Sequence, residues 1–164
     1  MIRSGIGFDA HQLKKGIDLY IGGIKIDSDL GSLGHSDGDA LIHAIADSLL
    51  GAAGMGDIGQ YFPSEEKEWK NAKSEIFLIE VKKILISNGF KISNIDCTVI
   101  LQKPKINSYI ELIRNNISRI LELNKNYVSI KATTTDYLGY IGDSKGWSVI
   151  SIATIIDENE HSKN

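Results

Sequence analysis

Asp9 and His11 stand two residues apart at the end of an apolar run, residues 2–9, that reads as a strand. Period-two geometry puts both side chains on one face. A carboxylate oxygen and an imidazole nitrogen so placed can grip one metal ion. His43 lies on a predicted helix over 38–53 and would complete an Asp-His-His set of the kind zinc takes. Three protein ligands leave a fourth position open, as catalytic zinc requires. Each residue alone is ambiguous: Asp-x-His is a common tripeptide, and His43 reads equally well as a core histidine.

The segment His35-Ser36-Asp37-Gly38-Asp39 runs into that helix. His35 and Ser36 sit just before its N-terminus, where free N–H groups and the helix dipole favour an anion. Asp39, His43 and Asp47 recur every four residues and are expected along one helix side. Either acid could orient the His43 imidazole. Capping by Ser36 or Asp37 and a solvated acidic stripe would produce the same pattern, and the two readings are compatible. A third group is Lys131-Ala132-Thr133-Thr134-Thr135-Asp136, which ends a predicted strand. Its threonines offer donors, and Asp136 could hold a hard cation such as magnesium against phosphate oxygens. A polar turn after a strand explains it as well.

The elements that must position these groups follow from periodicity. Strands are expected over 2–9, 18–21, 24–27, 92–102, 127–134 and 147–156, and helices over 38–53, 72–88 and 105–122. Gly22-Gly23 marks a hairpin. Residues 28–36 and 54–70 read as turns and irregular chain. The order predicts an α/β (α+β) fold: a mixed sheet with helices packed on one face, in one domain over 1–158 with a polar tail over 159–164. In the last strand Trp147, Val149, Ala153 and Ile155 point one way, and Ile150, Ile152 and Ile156 the other. Both faces are apolar, so a second copy of the chain, or the chain's own hairpin, must cover one of them.

Composition narrows the functional classes. The 164 residues carry a net charge of −3, and Arg3, Arg114 and Arg119 are the only arginines. No basic stripe suggests nucleic acid. A bound phosphate would need lysine, backbone N–H groups or metal ions. The single cysteine, Cys97, allows no internal disulfide and fits a reducing compartment. No signal, transit or membrane-spanning pattern is apparent, so a soluble cytoplasmic protein is expected.

Taken together, the motifs resemble the 2-C-methyl-D-erythritol 2,4-cyclodiphosphate synthase family. They are Gly7-Phe8-Asp9-x-His11, His35-Ser36-Asp37-Gly38-Asp39 with His43, Leu50 through Gly59, Phe62-Pro63, Gln102-x-Pro104-Lys105 and Lys131 through Thr135. They occur in family order over residues 2–156. The resemblance implies a homotrimer with sheets around a central axis and active sites between subunits. It implies a substrate, 4-diphosphocytidyl-2-C-methyl-D-erythritol 2-phosphate, whose 2-phosphate attacks the β-phosphorus and expels CMP. On this resemblance Asp9, His11 and His43 hold zinc, and Asp136 holds a second cation, magnesium or manganese. His35, Thr134 and Asp136 are the catalytic set. His35 and Ser36 contact the methylerythritol phosphate end, Asp57 and Gly59 line the polyol pocket, Asp47 also binds substrate, and Lys105, Ala132, Thr133 and Thr134 face cytidine from the neighbouring subunit. The chain departs from the family pattern at Asp136, usually Glu, at Asp143, usually Arg, and at Ser64, often Asp. Ile150 stands near the axis where many relatives have Glu. A zinc hydrolase of phosphoesters or a non-catalytic metal-binding trimer could use the same three ligands.

Overall fold

Alternating burial along two long strands sets the architecture. The computed structural model describes residues 1–34, 36–63 and 72–159. Strands are β1 (Ile2–Lys15), β2 (Leu19–Ile21), β3 (Ile24–Ile26), β4 (Leu30–Leu33), β5 (Phe90–Ile100), β6 (Val128–Thr133) and β7 (Gly146–Asp157). Helices are α1 (Ala40–Ala53), α2 (Ile58–Tyr61), α3 (Ser74–Ser87), α4 (Ile110–Leu121) and α5 (Gly139–Gly142). One sheet has the order β4-β1-β7-β5-β6, and β2 pairs with β3 apart from it. Only the β5–β6 pairing within it is parallel.

The inward face of β7 carries Trp147, Val149, Ser151, Ala153 and Ile155, all buried. Helix α1 lies across β1 and β7 and buries Leu41, Ile42, Ile45, Leu49 and Leu50 completely. At about 1.5–3 kcal/mol for each fully buried aliphatic side chain, these five contribute on the order of 10 kcal/mol before chain entropy. The close approach requires Gly5 and Gly7 on the inward face of β1. A Cβ on Gly5 would meet Ser48 O at 2.2 Å, and one on Gly7 would meet Ala44 O at 2.0 Å.

The mixed sheet with helices on one face is as expected, and the Gly22-Gly23 hairpin forms with the expected pairing. Several boundaries differ. β1 runs six residues past the expected end, because Gln12–Lys15 pair with β4. β4 itself falls in a segment expected to be turns. Its Gly31 and Ser32 carry no strand signal, yet Ser32 is buried and its Oγ accepts a hydrogen bond from Trp147 Nε1 at 2.7 Å. The third long helix begins at Ile110, after a single 3₁₀ turn over Asn107–Tyr109. Single helical turns, α2 and α5, occupy stretches read as loop. The expected tail lies, from residue 160, outside the described residues, as does Ser64.

Among the described residues no helix lies on the outward face of the sheet. There Ile6 pairs with Ile152 and Phe8 with Ile150 across β1 and β7. Ile2, Ile6 and Phe8 are 73, 70 and 58% exposed. The chain's own hairpin, β2–β3, packs elsewhere, and its Leu19, Ile21 and Ile26 are buried in the core. The covering expected of it on this face is therefore not supplied by it.

Candidate active site

Three donors meet where the middle of β1 passes the first turn of α1. Asp9 and His11 point to the helix side, as the strand period requires. Gly7 brings α1 close enough for His43, next to Ala44, to reach them. Asp9 Oδ2 lies 3.0 Å from His11 Nε2 and 3.0 Å from His43 Nδ1, and the two nitrogens are 3.5 Å apart. Donors held 2.0–2.1 Å from a tetrahedral ion are about 3.3 Å from one another. The triangle therefore fits such an ion by its size and by its nitrogen and oxygen donors. His11 Nδ1 is engaged by Leu33 O at 3.2 Å, which leaves Nε2 as the free lone pair. All three side chains are partly buried.

The electrostatics agree. Burial works against the Asp9 charge, yet its contacts with His11 and His43 hold its carboxyl well below the usual carboxylate range. Burial also works against charge on His11. Asp9 outweighs it and raises the imidazole above its ordinary value of 6.5. A proton and a metal ion compete for the same nitrogen. Metal affinity is therefore expected to fall as the pH drops through that raised value, by up to about tenfold per pH unit for one displaced proton. Cobalt titrations between about pH 8 and pH 6 check this. A flat profile would remove His11 from the ligand set.

Asp39 departs from the expected stripe. Helix α1 starts one residue later, so Asp39 is its N-cap and accepts from Leu41 N and Ile42 N, both at 3.1 Å. It also accepts from Gly22 N at 3.0 Å and Gly23 N at 2.6 Å. This fully buried carboxyl thus pins the β2–β3 turn to α1 and does not touch His43. Burial pushes its pKa up, and the N–H groups of Gly23, Gly22 and Ile42 pull it back. The capping expected of Ser36 or Asp37 falls to Asp39 instead.

Asp47, one turn beyond His43, accepts Ile58 N at 2.8 Å. Its pKa is raised, by burial first, with Asp57 and Asp9 adding to the effect. Asp57 caps α2, accepting Gln60 N at 3.1 Å and Gln60 Nε2 at 3.0 Å, and Gly59 lies in that turn. Asp47, Asp57 and Gly59 thus form one cluster where α1 passes into α2.

His35 lies outside the described residues. Ser36 Oγ is 3.3 Å from His43 Nε2. Ser74, which no sequence pattern singled out, is nearer at 3.0 Å. Nothing in the spacing could reveal it, because α3 brings it from a distant stretch of chain.

The remaining residues gather elsewhere. Lys105, Ala132, Thr133 and Thr134 line a cavity of about 240 Å³ with Leu101 and Pro104. A neighbouring cavity of about 870 Å³ shares Gln102, Pro104, Lys105 and Thr134 and adds Asp136 and Tyr137. Asp136 has a left-handed backbone, φ 52°, which aspartate tolerates better than most residues. Lys131 is not in these cavities but pairs with Asp96 at 2.6 Å. Within one chain these residues do not meet the Asp9–His11–His43 triangle. His11 pairs with Trp147, and Ser148 pairs with Ile100, which pairs with Thr133. The two groups therefore stand at the same end of the sheet, three strand spacings or roughly 14 Å apart.

Residues 2–156 match the YgbB family. The chain belongs to that family. It is 47% identical over 154 residues to the 2-C-methyl-D-erythritol 2,4-cyclodiphosphate synthase of Clostridium botulinum, covering 94% of this chain and 99% of that one. It superposes on the bifunctional IspDF of Campylobacter jejuni with a TM-score of 0.92 at 37% identity, covering 97% of this chain. It spans 44% of that longer protein. It also matches IspF of Plasmodium falciparum in complex with CDP, with a TM-score of 0.84 at 37% identity over 96% of this chain and 97% of that one. The family resemblance read from the motifs is thereby confirmed. YgbB membership agrees with the observed five-stranded mixed sheet, and the Asp-His-His triangle lies inside the matched span. Among the described residues no helix is long and apolar enough to cross a membrane.

Proposed function

We infer that the chain is a metal-dependent phosphorus–oxygen lyase of isoprenoid precursor synthesis. It closes 2-C-methyl-D-erythritol 2,4-cyclodiphosphate from 4-diphosphocytidyl-2-C-methyl-D-erythritol 2-phosphate and releases CMP. One observation carries this reading: the Asp9–His11–His43 triangle shares a sheet end with the Lys105 and Ala132–Thr134 cavity, in a chain nearly half identical to proteins named for that synthesis.

The nucleophile is already a phosphate oxygen, so the protein needs no activated serine or cysteine. Its task is to hold two polyanionic ends together. Asp9, His11 and His43 hold zinc, and Asp136 holds magnesium or manganese. Bound there, the two cations neutralise charge that develops on the phosphates. His35, Ser36, Asp47, Asp57 and Gly59 receive the methylerythritol phosphate end. Lys105, Ala132, Thr133 and Thr134 take the cytidine; the Plasmodium falciparum relative is itself a CDP complex. Thr134 borders both cavities and accepts the Asp136 N–H at 3.2 Å, so it steadies the loop that carries the second carboxylate. Aspartate there is a methylene shorter than the family's glutamate, and its tolerance of left-handed backbone matches the turn it occupies.

The separation of the two residue groups supports a homotrimer in which each active site forms between neighbouring copies. The uncovered face of β1 and β7 supports it as well. With Ile150 in place of the usual glutamate, the axis of such a trimer is apolar. The protein works in the cytoplasm on a small-molecule substrate, with neither nucleic acid nor membrane as partner.

Phosphorus NMR of the purified protein with the cytidine diphosphate substrate, zinc and magnesium tests the reading. CMP together with a cyclic diphosphate is expected. CMP with a linear phosphate product would assign a hydrolase instead.

A further inference from the structure

Ser74 opens α3, and its Oγ lies 3.0 Å from His43 Nε2. Asp37 accepts both the Ser74 backbone N–H, at 2.9 Å, and the Ser74 hydroxyl. Lys73 supplies no side-chain cap to α3, so the Asp37 carboxylate takes that place, where negative charge is favoured. Counting protons then decides how they are arranged. A carboxylate offers only lone pairs, so the Ser74 O–H points to Asp37. Ser74 Oγ has only lone pairs left for His43, so Nε2 must carry the N–H. With an ion held between His43 and Asp9, Nδ1 is then the bare nitrogen, and it is the atom 3.0 Å from Asp9 Oδ2. Ser36 fits the same scheme. Its Oγ can donate to the second lone pair of Ser74 at 3.4 Å while accepting Gly38 N at 3.4 Å.

We propose that Asp37 and Ser74 are positioning residues that lock His43 in the Nε2–H tautomer and thereby aim Nδ1 at the metal ion. The inference rests on the metal reading of the triangle. A ligand histidine usually donates its other N–H to a carboxylate or carbonyl, and here a serine stands between the imidazole and the carboxylate. The arrangement makes an unusual demand on residue 37. In Asp37→Asn the amide oxygen must stay on Ser74 N–H, so the amide NH₂ faces Ser74 Oγ. The hydroxyl then turns to donate to His43 Nε2. That drives the proton to Nδ1 and blocks the ligand atom. An isosteric change two groups away should thus reverse the tautomer, whereas Ser74→Ala only releases it.

The test is cobalt(II) titration of the purified protein, followed by visible absorption, with histidine ¹⁵N spectra to read the tautomer. Ser74→Ala should weaken cobalt binding by about 10–100-fold, and Asp37→Asn by at least as much. Ser74→Thr, which keeps the hydroxyl, should restore affinity. The wild type should show an Nε2–H imidazole that Asp37→Asn loses. Equal affinity for wild type, Ser74→Ala and Asp37→Asn would overturn the relay and leave the metal site standing. Failure of the wild type to bind cobalt would overturn both. If Asp37→Asn unfolds for want of its α3 cap, Ser74→Ala still decides, because it keeps the Asp37 bond to the backbone N–H.

Discussion

His43→Ala is expected to lower turnover by at least about 10³-fold while the protein stays folded. The side chain is partly buried and touches three groups of different kinds. Nδ1 faces Asp9, Nε2 faces Ser74, and the ring packs 6.0 Å from Phe77. Its loss removes one corner of the donor triangle and leaves a carboxylate and a single imidazole, too few to hold a catalytic ion tightly. The stability cost is modest by comparison, on the order of 1 kcal/mol, because α1 is held by its buried aliphatic face and by Asp39 rather than by His43. Turnover, metal content and sizing chromatography together decide the matter. Activity within tenfold of wild type would show that the triangle is not the reaction centre. An unfolded or aggregated variant would make His43 a structural residue.

Gly7→Ala should have the opposite signature, loss of the fold itself. A methyl group there would sit 2.0 Å from Ala44 O and 2.8 Å from Ser48 N, both backbone atoms of α1. No rotamer change relieves a collision with backbone, so the helix must lift from the sheet. Overpacking ordinarily costs about 1–3 kcal/mol, and a clash on this scale should reach or exceed the upper end. That is a large share of a small domain's total stability. Gly51→Ala is the control. Gly51 lies within α1, where an added Cβ would find only Ile6 O at 3.8 Å, so this change should leave stability unchanged or raise it slightly. Chemical denaturation of the two variants separates them. Similar midpoints would show that α1 and β1 do not approach as closely as described.

Much of the fold is legible in the chain because long apolar periods are strong signals. The stripes of α1, α3 and α4 and the alternation in β7 each find their place. β4 was hidden because Gly31 answers to the Ile17–Asp18 backbone, whose carbonyl oxygens a Cβ would meet at 2.1 and 2.3 Å, and Ser32 to Trp147, rather than to strand propensity. The site is legible where short-range geometry governs it. Asp9 and His11 follow from the strand period, and His43 from the motif around it. Asp39 misled because the four-residue spacing holds only inside a helix, and Asp39 is the residue just before α1 begins. Its short side chain turns back to unpaired backbone N–H groups, as N-cap aspartates do. Ser74 and Asp37 are invisible at this level. Their relation to His43 exists only once α3 docks beside α1, and no local pattern encodes that docking.

The position of β7 bears on how the protein can come into being. β7 is the last of the described strands and the central one in the sheet, paired with β1 along Ile2–Gln12 and with β5 along Phe90–Ile100. The Met1 amine even reaches Asp157 O at 3.1 Å. Until that strand has left the ribosome, β4–β1 and β5–β6 are two separate ribbons with unpaired inner edges. Sheet closure must then join strands far apart in the chain, a high contact order that slows folding and leaves apolar edges open meanwhile. Destabilising the β1–β7 or β5–β7 pairing should therefore slow refolding more than destabilising the local β2–β3 hairpin.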